Sequence, residues 1–558
     1  MNSIYDKSSL VLIPSGTKAG KVYSQKPVSG DGDFTFTRSS AATRVNASGN
    51  IEKETGNLLL QSNTFDTTWT LSTASISVSG GQNGYDGSND AWLLERSDAS
   101  SRYITQAVTS SGVNTFSVYA KPDSVGWMYV YVAGGGVSRT AYFDITNGAL
   151  GSTSNVITTS IEAAGNGYYR CSIVVDATIT TIRLYPAVAN GSVTGGVSPA
   201  GIYIQDAQLE QGLVARDYIE TTTSAVYGGI TDNVPRLDYT DSSCPALLLE
   251  PQRTNLITQS EYFNSSYWIK GGSPVFSVSD NAGISPEGVS NATRFVAASA
   301  QQSTRLYTSV TWTAVPYTIS LYVKNNGGTN TNLRFSYYDG SGQYFSPTFT
   351  LTDEWQRIEY TFTPTASSGG FWLVNTPTAG LNLDLLVFAA QLEEGSYATS
   401  YIPTYGSSVT RVLDSCGTRS DMQDFLGINE GTWFTYLKDM YFDITGTSVG
   451  TFTLRETSGL QIEIMQDGNF MYRVDINNST AVQDLDGEDK LAVAWSTSGL
   501  VIYVNGSSVY STTDPQYASA YSTLYLPEST RPARVELKQM LFFPTRLTNA
   551  ELEDLTTL

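Results

Sequence analysis

This chain repeats itself, and the repeat limits its architecture more tightly than any residue count. "IEKETGNLLLQSNTF" (51–65) matches "LEPQRTNLITQSEYF" (249–263) without a gap. Glu52, Asn57, Leu58, Gln61, Ser62 and Phe65 recur as Glu250, Asn255, Leu256, Gln259, Ser260 and Phe263, and Trp69 and Trp268 follow. Further blocks keep the same order: "FSVYAK" ending at Lys121 with "ISLYVK" ending at Lys324, then "YYR" ending at Arg170 with "WQR" ending at Arg357. Last come "AQLEQGLVARDYIETT" (207–222) and "AQLEEGSYATSYIPTY" (390–405). Spacing between blocks changes only across Gly/Ser/Asn-rich stretches such as "NGSVTGGVSPAG", where surface loops tolerate length changes that paired strands do not. This is a duplicated domain of roughly 150 residues, a common domain size. Residues 57–222 and 255–405 are expected to share one fold, strand by strand.

Inside each copy, short alternating strands lie between turn residues. In "GWMYVYV", Trp127, Tyr129 and Tyr131 share one face, and Met128, Val130 and Val132 the other. With Tyr, Thr, Val and Ile abundant and no helical period, the expected class is all-β, built on tandem duplicated jelly-roll sandwiches. At 558 residues the chain is too long for one core, so further domains are expected.

The third sandwich begins near residue 413. Ser420 and Gln423 in "RSDMQDFLG" stand at capping-box spacing and predict a short helical turn before the strand "GTWFTYL". Leu491, Val493 and Trp495 share a face, and Asn505-Gly506 predicts a tight hairpin with two positive φ angles. Thr548 and Glu551 in "LTNAELEDL" again fit a capping box. The expected domains are an N-terminal segment (1–55), jelly roll 1 (56–229), a connecting segment with jelly roll 2 (230–412), and a C-terminal sandwich (413–558).

Charge narrows the function. With 52 acidic and 32 basic residues the formal charge is −20. A nucleic-acid binder carries a basic footprint to displace counterions from phosphates, so no nucleic-acid partner is expected. Membrane insertion is not expected either, because apolar runs such as "LDLLVFAA" (383–390) fall well short of the ~20 residues a membrane helix needs. The absence of histidine removes Ser-His-Asp and Cys-His catalysis. Glycoside hydrolysis by two carboxylates about 5–10 Å apart stays open, but sequence selects no such pair. The matched acids Glu210 and Glu393 read as a duplicated fold element, so no catalytic residue is assigned and no enzyme is expected. Cys171, Cys244 and Cys416 have neither disulfide nor metal-ligand spacing. The opening "MNSIYDKSSLVLIPSG" is not a secretory signal, so the expectation is synthesis in a cytosol and delivery outside by another route, such as release inside a particle.

Three segments carry a resemblance. "DFTFTRSSAATRVNASGNIE" (33–52), "NVPRLDYTDSSCPALLLEPQRTNL" (233–256) and "QLEEGSYATSYIPTYGSSVTR" (391–411) resemble virion appendage (fibre-type) proteins of tailed bacteriophages. In that family the first two segments follow each other closely, so jelly roll 1 looks like an inserted copy. The jelly rolls resemble carbohydrate-binding modules, and "KLAVAWSTSGLVIYVNG" with "LFFPTRLTNAELEDL" resembles a laminin-G or concanavalin-like domain. The resemblance implies a protein on the virion exterior, on head or tail, that attaches to host-surface polysaccharide. Its partners would be other virion proteins and itself, as a homotrimer before a homodimer. Capsule-degrading glycosidase and ligand-free architectural component are the alternatives.

The carbohydrate-binding candidates are Trp127, Tyr129 and Tyr131, because sugar rings stack on flat aromatic side chains and phenol hydroxyls bond sugar hydroxyls. The alternative places these rings in the sandwich core. Phe335 and Tyr337 are a weaker version in the second copy. No cofactor is expected beyond a structural calcium that the module resemblance implies near the final strand. Asp206 fits that place as metal ligand, whereas its counterpart is Ala389. Finally, the apolar strand 10–13 has no jelly-roll partner in sequence. Concanavalin-like sandwiches bring first and last strands together, so docking on "VELKQMLFF" (535–543) is expected.

Overall fold

The structure, a computed structural model, describes residues 4–557 except 241, 273–274, 302–303, 378, 442–448, 457–460, 467–471, 477–478, 486–487, 515–519 and 527–533. The fold is all-β, with one α-helix among the described residues, Asn549–Thr556. In the first repeat two six-stranded sheets enclose one apolar core. The first sheet runs Thr158–Ala163, Tyr169–Asp176, Val113–Pro122, Ala200–Gln211, Ala91–Arg96, Ile76–Gln82. The second runs Ala149–Ser154, Val137–Asp144, Trp127–Gly134, Ile179–Ala187, Ile104–Ser110, Thr70–Leu71.

The second repeat keeps both orders. Gln356–Phe362, Tyr317–Asn325, Leu381–Glu394, Ala292–Ala300 and Ser277–Gly283 form one sheet. Asn332–Tyr338 (flanked by Gln343–Phe345 and Phe349–Thr350), Ser368–Asn375, Arg305–Thr311 and Ile269–Gly271 form the other. The duplication is therefore one of fold, and the first copy adds Ala149–Ser154 and Thr158–Ala163 at its sheet edges.

The repeated words build a clasp. Asn57 donates its amide to the carbonyls of Ala207 (3.0 Å) and Ile219 (2.9 Å) and accepts from the amides of Leu59 and Leu209 (both 3.1 Å). Asn255 makes the same four bonds with Ala390, Ile402, Ile257 and Leu392, at 3.2, 2.9, 3.1 and 3.2 Å. The Ser62 hydroxyl meets Tyr218, and that of Ser260 meets Tyr401, both at 2.6 Å. Glu210 accepts from the Arg216 amide, and Glu393 from that of Thr399. Together these buried groups tie the incoming segment, the module's last strand and the tail that follows it to one another, where an unpaired one would be costly.

Each module is entered and left through a two-stranded neck: Thr55–Asn57 pairs with Val226–Gly228, and Arg253–Asn255 with Val409–Arg411. Both necks grow from a base. There Leu10–Leu12 pairs antiparallel with Arg534–Phe543, Leu10 opposite Phe542. Arg236–Asp238 and Ala246–Leu249 join this same eight-stranded sheet, so part of the connecting segment grouped above with jelly roll 2 lies in the base. Leu491, Val493 and Trp495 face the main core, while Ala492 and Ala494 are covered with the helix residue Leu552. Asn505 and Gly506 take φ 48° and 80° in the hairpin, and the Thr548–Glu551 capping box forms. At Ser420 it does not. The turn there is a 3-10 turn, Met422–Asp424, whose N-cap is Asp421, one residue beyond Ser420, and no side-chain cap forms.

The segments that carry the resemblance converge on a buried charge hub. Arg236 pairs with Glu250 (2.6 Å) and Asp414, Arg38 with Asp414 (3.0 Å), and Arg411 with Glu250 (2.6 Å). A second buried network joins modules to base. Lys53 reaches Glu261 and Glu287 at 2.7 Å, Arg216 pairs with Glu287, and the Tyr401 and Tyr405 hydroxyls donate to Glu261 at 3.0 Å. Gly112 lies so close to module 2 that a Cβ would sit 1.5 Å from the Tyr405 carbonyl oxygen, while Val113 N donates to that oxygen at 2.8 Å.

Candidate functional site

Along Trp127–Gly134 burial alternates: Met128, Val130 and Val132 fill the core, and Trp127, Tyr129 and Tyr131 lie half-buried on the opposite, outer face. The sandwich core is complete without these rings. Cross-strand register then adds neighbours from strands distant in sequence. Tyr129 stands between Tyr142 on Val137–Asp144 and Tyr185 on Ile179–Ala187, and Tyr103 follows beside Tyr185. Ring centroids along this row lie 4.4, 5.0 and 4.8 Å apart. In the next row Tyr131 faces Arg183, whose guanidinium sits 4.8 Å from the Tyr131 ring and 4.7 Å from that of Tyr103. Trp127 flanks the row, and Gly151 leaves its ring room: a Cβ there would come within 2.7 Å of it.

Burial holds the Tyr129 and Tyr142 hydroxyls above the ordinary tyrosine value. Burial pushes Tyr185 up to about 12 although Arg183 opposes it. These hydroxyls stay protonated at neutral pH, able to donate and accept at once. The rings are tilted by 32–60° to one another, so the row is corrugated, and it offers a sugar apolar ring surface for its C–H faces and phenols for its hydroxyls.

In the second module the expected pair is elsewhere. Phe335 and Tyr337 lie in the core, 1% and 7% exposed. Alternation separates two faces without saying which turns inward, and here Leu333, Phe335 and Tyr337 do. The outer face instead carries Tyr307 and Trp372, 6.0 Å apart, with Arg305 at 5.2 and 5.7 Å from their centroids. Arg334 covers the exposed Phe345 at 3.8 Å.

Asp206 and Ala389 occupy one structural position, a bulge in the last strand with φ 53° and 57°. Burial raises the Asp206 carboxyl to about 7 against a hydrogen bond from Tyr85 (3.1 Å). Its neighbour is thus a phenol donor, and among the described residues no three His, Cys, Asp or Glu side chains group to hold a metal ion. Glu210 and Glu393 are buried, and burial raises both. Their oxygens serve the clasp.

A crevice of about 1200 Å³ opens between the two modules and the base, lined by polar groups such as Glu54, Asp176, Gln211 and Asp232 and by apolar ones such as Leu58 and Ile402. Burial holds Glu54 and Asp176 above the ordinary carboxylate value.

No family model matches the chain, and no curated protein matches it. Among solved structures it is similar to an N-terminal CBM22 tandem domain from Paenibacillus barcinonensis, at 14% identity over 61% of this chain and 98% of that one, TM-score 0.23. It is also similar to Trypanosoma rangeli sialidase, at 10% identity over 98% of this chain and 96% of that one, TM-score 0.20. An exo-beta-1,3-galactanase from Phanerochaete chrysosporium follows at 7% identity, 57% and 69% coverage, TM-score 0.16. At these scores nothing about those proteins is transferred to this chain.

Proposed function

We propose that this chain is a structural, non-enzymatic appendage protein of a bacteriophage virion that adheres to host-surface glycans through the outer faces of its jelly rolls. The observation that carries the adhesive reading is the outer-face row Tyr142–Tyr129–Tyr185–Tyr103, in which Tyr185 is buried and the other rings are half-buried, with Trp127 beside it, outside a core already filled. The virion reading is supported by the segments resembling phage proteins, whose charged residues form the hub that carries both modules. Self-association as a trimer belongs to the same reading. In the test, Trp127→Ala abolishes binding to host polysaccharide and leaves the melting temperature nearly unchanged. A stability loss of the ~3–5 kcal/mol typical of aromatic core truncation would instead make the ring structural.

The crevice favours one second reading, a polysaccharide depolymerase using Glu54 and Asp176. Incubation with host capsule decides: polymer shortening that disappears in Glu54→Gln and Asp176→Asn selects the enzyme.

A further inference from the structure

The two sheets of each sandwich differ in charge. In an acidic chain, the strands of the aromatic sheet of module 1 contain Arg139 and Arg183 against Asp144 alone, and those of module 2 contain Lys270, Arg305 and Arg334 with no acid. The opposite sheets keep the acidic balance, each with five acids to three bases in its strands. Asp144 forms no ion pair with either arginine among the described residues; its oxygens accept from Thr146 and Asn147 at 2.9–3.1 Å.

Among these cations Arg183 and Arg305 stand out. Each guanidinium is stacked on two rings, and each has a buried Nε without a hydrogen-bond partner. Neither joins an ion pair among the described residues. Elsewhere Arg44, Arg216 and Arg236 are matched with carboxylates, whereas Arg96, Arg170 and Arg357, which share the unpartnered buried Nε, give their terminal donors to backbone carbonyls. The motif also recurs with its parts exchanged. In module 1 the aromatic Tyr103 precedes the Ile104–Leu184 pair and the cation is on the neighbouring strand. In module 2 the cation Arg305 precedes the Leu306–Val374 pair and the aromatic Trp372 is on the neighbour. A cation between rings at the same strand pair is thus kept while its residues change places.

From this we propose, resting on the glycan-face reading above, that both modules take an acidic polysaccharide: the sugar ring lies on the aromatic row and its carboxylate meets the Arg183 or Arg305 fork. A planar guanidinium held by aromatic walls is preorganised for a carboxylate. The overall charge of −20 does not forbid this. Beyond about 8 Å it is screened at physiological ionic strength, so the ligand experiences the local cation.

The experiment uses the full chain and matched probes: alginate, polygalacturonate and hyaluronan, each beside its carboxyl-reduced neutral form. The acidic member of at least one pair should bind about tenfold more tightly, with the preference shrinking in added salt. Arg183→Gln with Arg305→Gln should bring the ratio to about one while melting is retained, and the Lys variants, which keep charge but lose the fork, should fall between. Equal binding of acidic and neutral forms, lost in Trp127→Ala, would overturn acid selectivity and leave the glycan face standing. Binding of no probe, or binding indifferent to both the arginines and Trp127, would overturn both.

Discussion

Asp206 holds a left-handed backbone angle at the strand bulge, and burial raises its carboxyl to about 7. Its folded value lies above the ordinary one, so the native chain binds the extra proton between about pH 4 and that value, and stability falls as pH rises through the window. Asn tolerates the same φ. Asp206→Asn should therefore be more stable than the parent by about 1–3 kcal/mol at pH 8 and equal to it near pH 4, as read by thermal melts at both pH values. A melting temperature of the parent that rises with calcium would show instead that the carboxyl takes an ion. At this scale the sequence was only half legible. Alternation located Trp127, Tyr129 and Tyr131 together, but their partners Tyr103, Tyr142, Tyr185 and Arg183 come from strands whose adjacency no local pattern encodes. Phe335 and Tyr337 failed for a related reason: period two defines two faces, and the burial of each depends on the opposing sheet.

Clasp and neck define the element scale. Asn57 and Asn255 each satisfy four backbone groups, so replacement by Ala leaves buried donors and acceptors unpaired. We expect a loss of about 2–4 kcal/mol in either case. Because the modules have separate cores, the loss should be selective: Asn57→Ala should raise amide hydrogen exchange in 57–222, and Asn255→Ala in 255–405. Equal loosening of both copies by either change would show that they unfold as one unit. The duplicated words were legible because side chains that bond backbone at fixed places cannot drift as loops do.

At the scale of the whole molecule, the hub ties together three chain segments far apart in sequence. Burial disfavours the charged Glu250, yet Arg411 and Arg236 outweigh it and hold its carboxyl well below the usual range. A depressed folded value means stability that is full above the ordinary carboxylate range and lost as pH falls toward the depressed one. Glu250→Gln leaves Arg236 and Arg411 buried without that counter-charge and should cost about 3–5 kcal/mol at neutral pH, with a shallower acid-unfolding profile. Denaturant titrations at pH 7 and pH 4 read both effects. An unchanged midpoint at pH 7 would mean that the modules stand on the base without the hub.

The sequence by itself determined the all-β class, the doubling of the jelly roll, the hairpin at Asn505-Gly506 and the cap at Thr548. Each rests on period two, on a local backbone angle, or on a side chain bonding its own neighbourhood. Tertiary structure alone decided which aromatic rows turn outward, that the cationic sheet is the aromatic one, and that Arg38, Arg236, Glu250, Arg411 and Asp414 meet. Those facts depend on which distant strands become neighbours, and that choice is made by burying a whole core at once rather than by any stretch of residues within it.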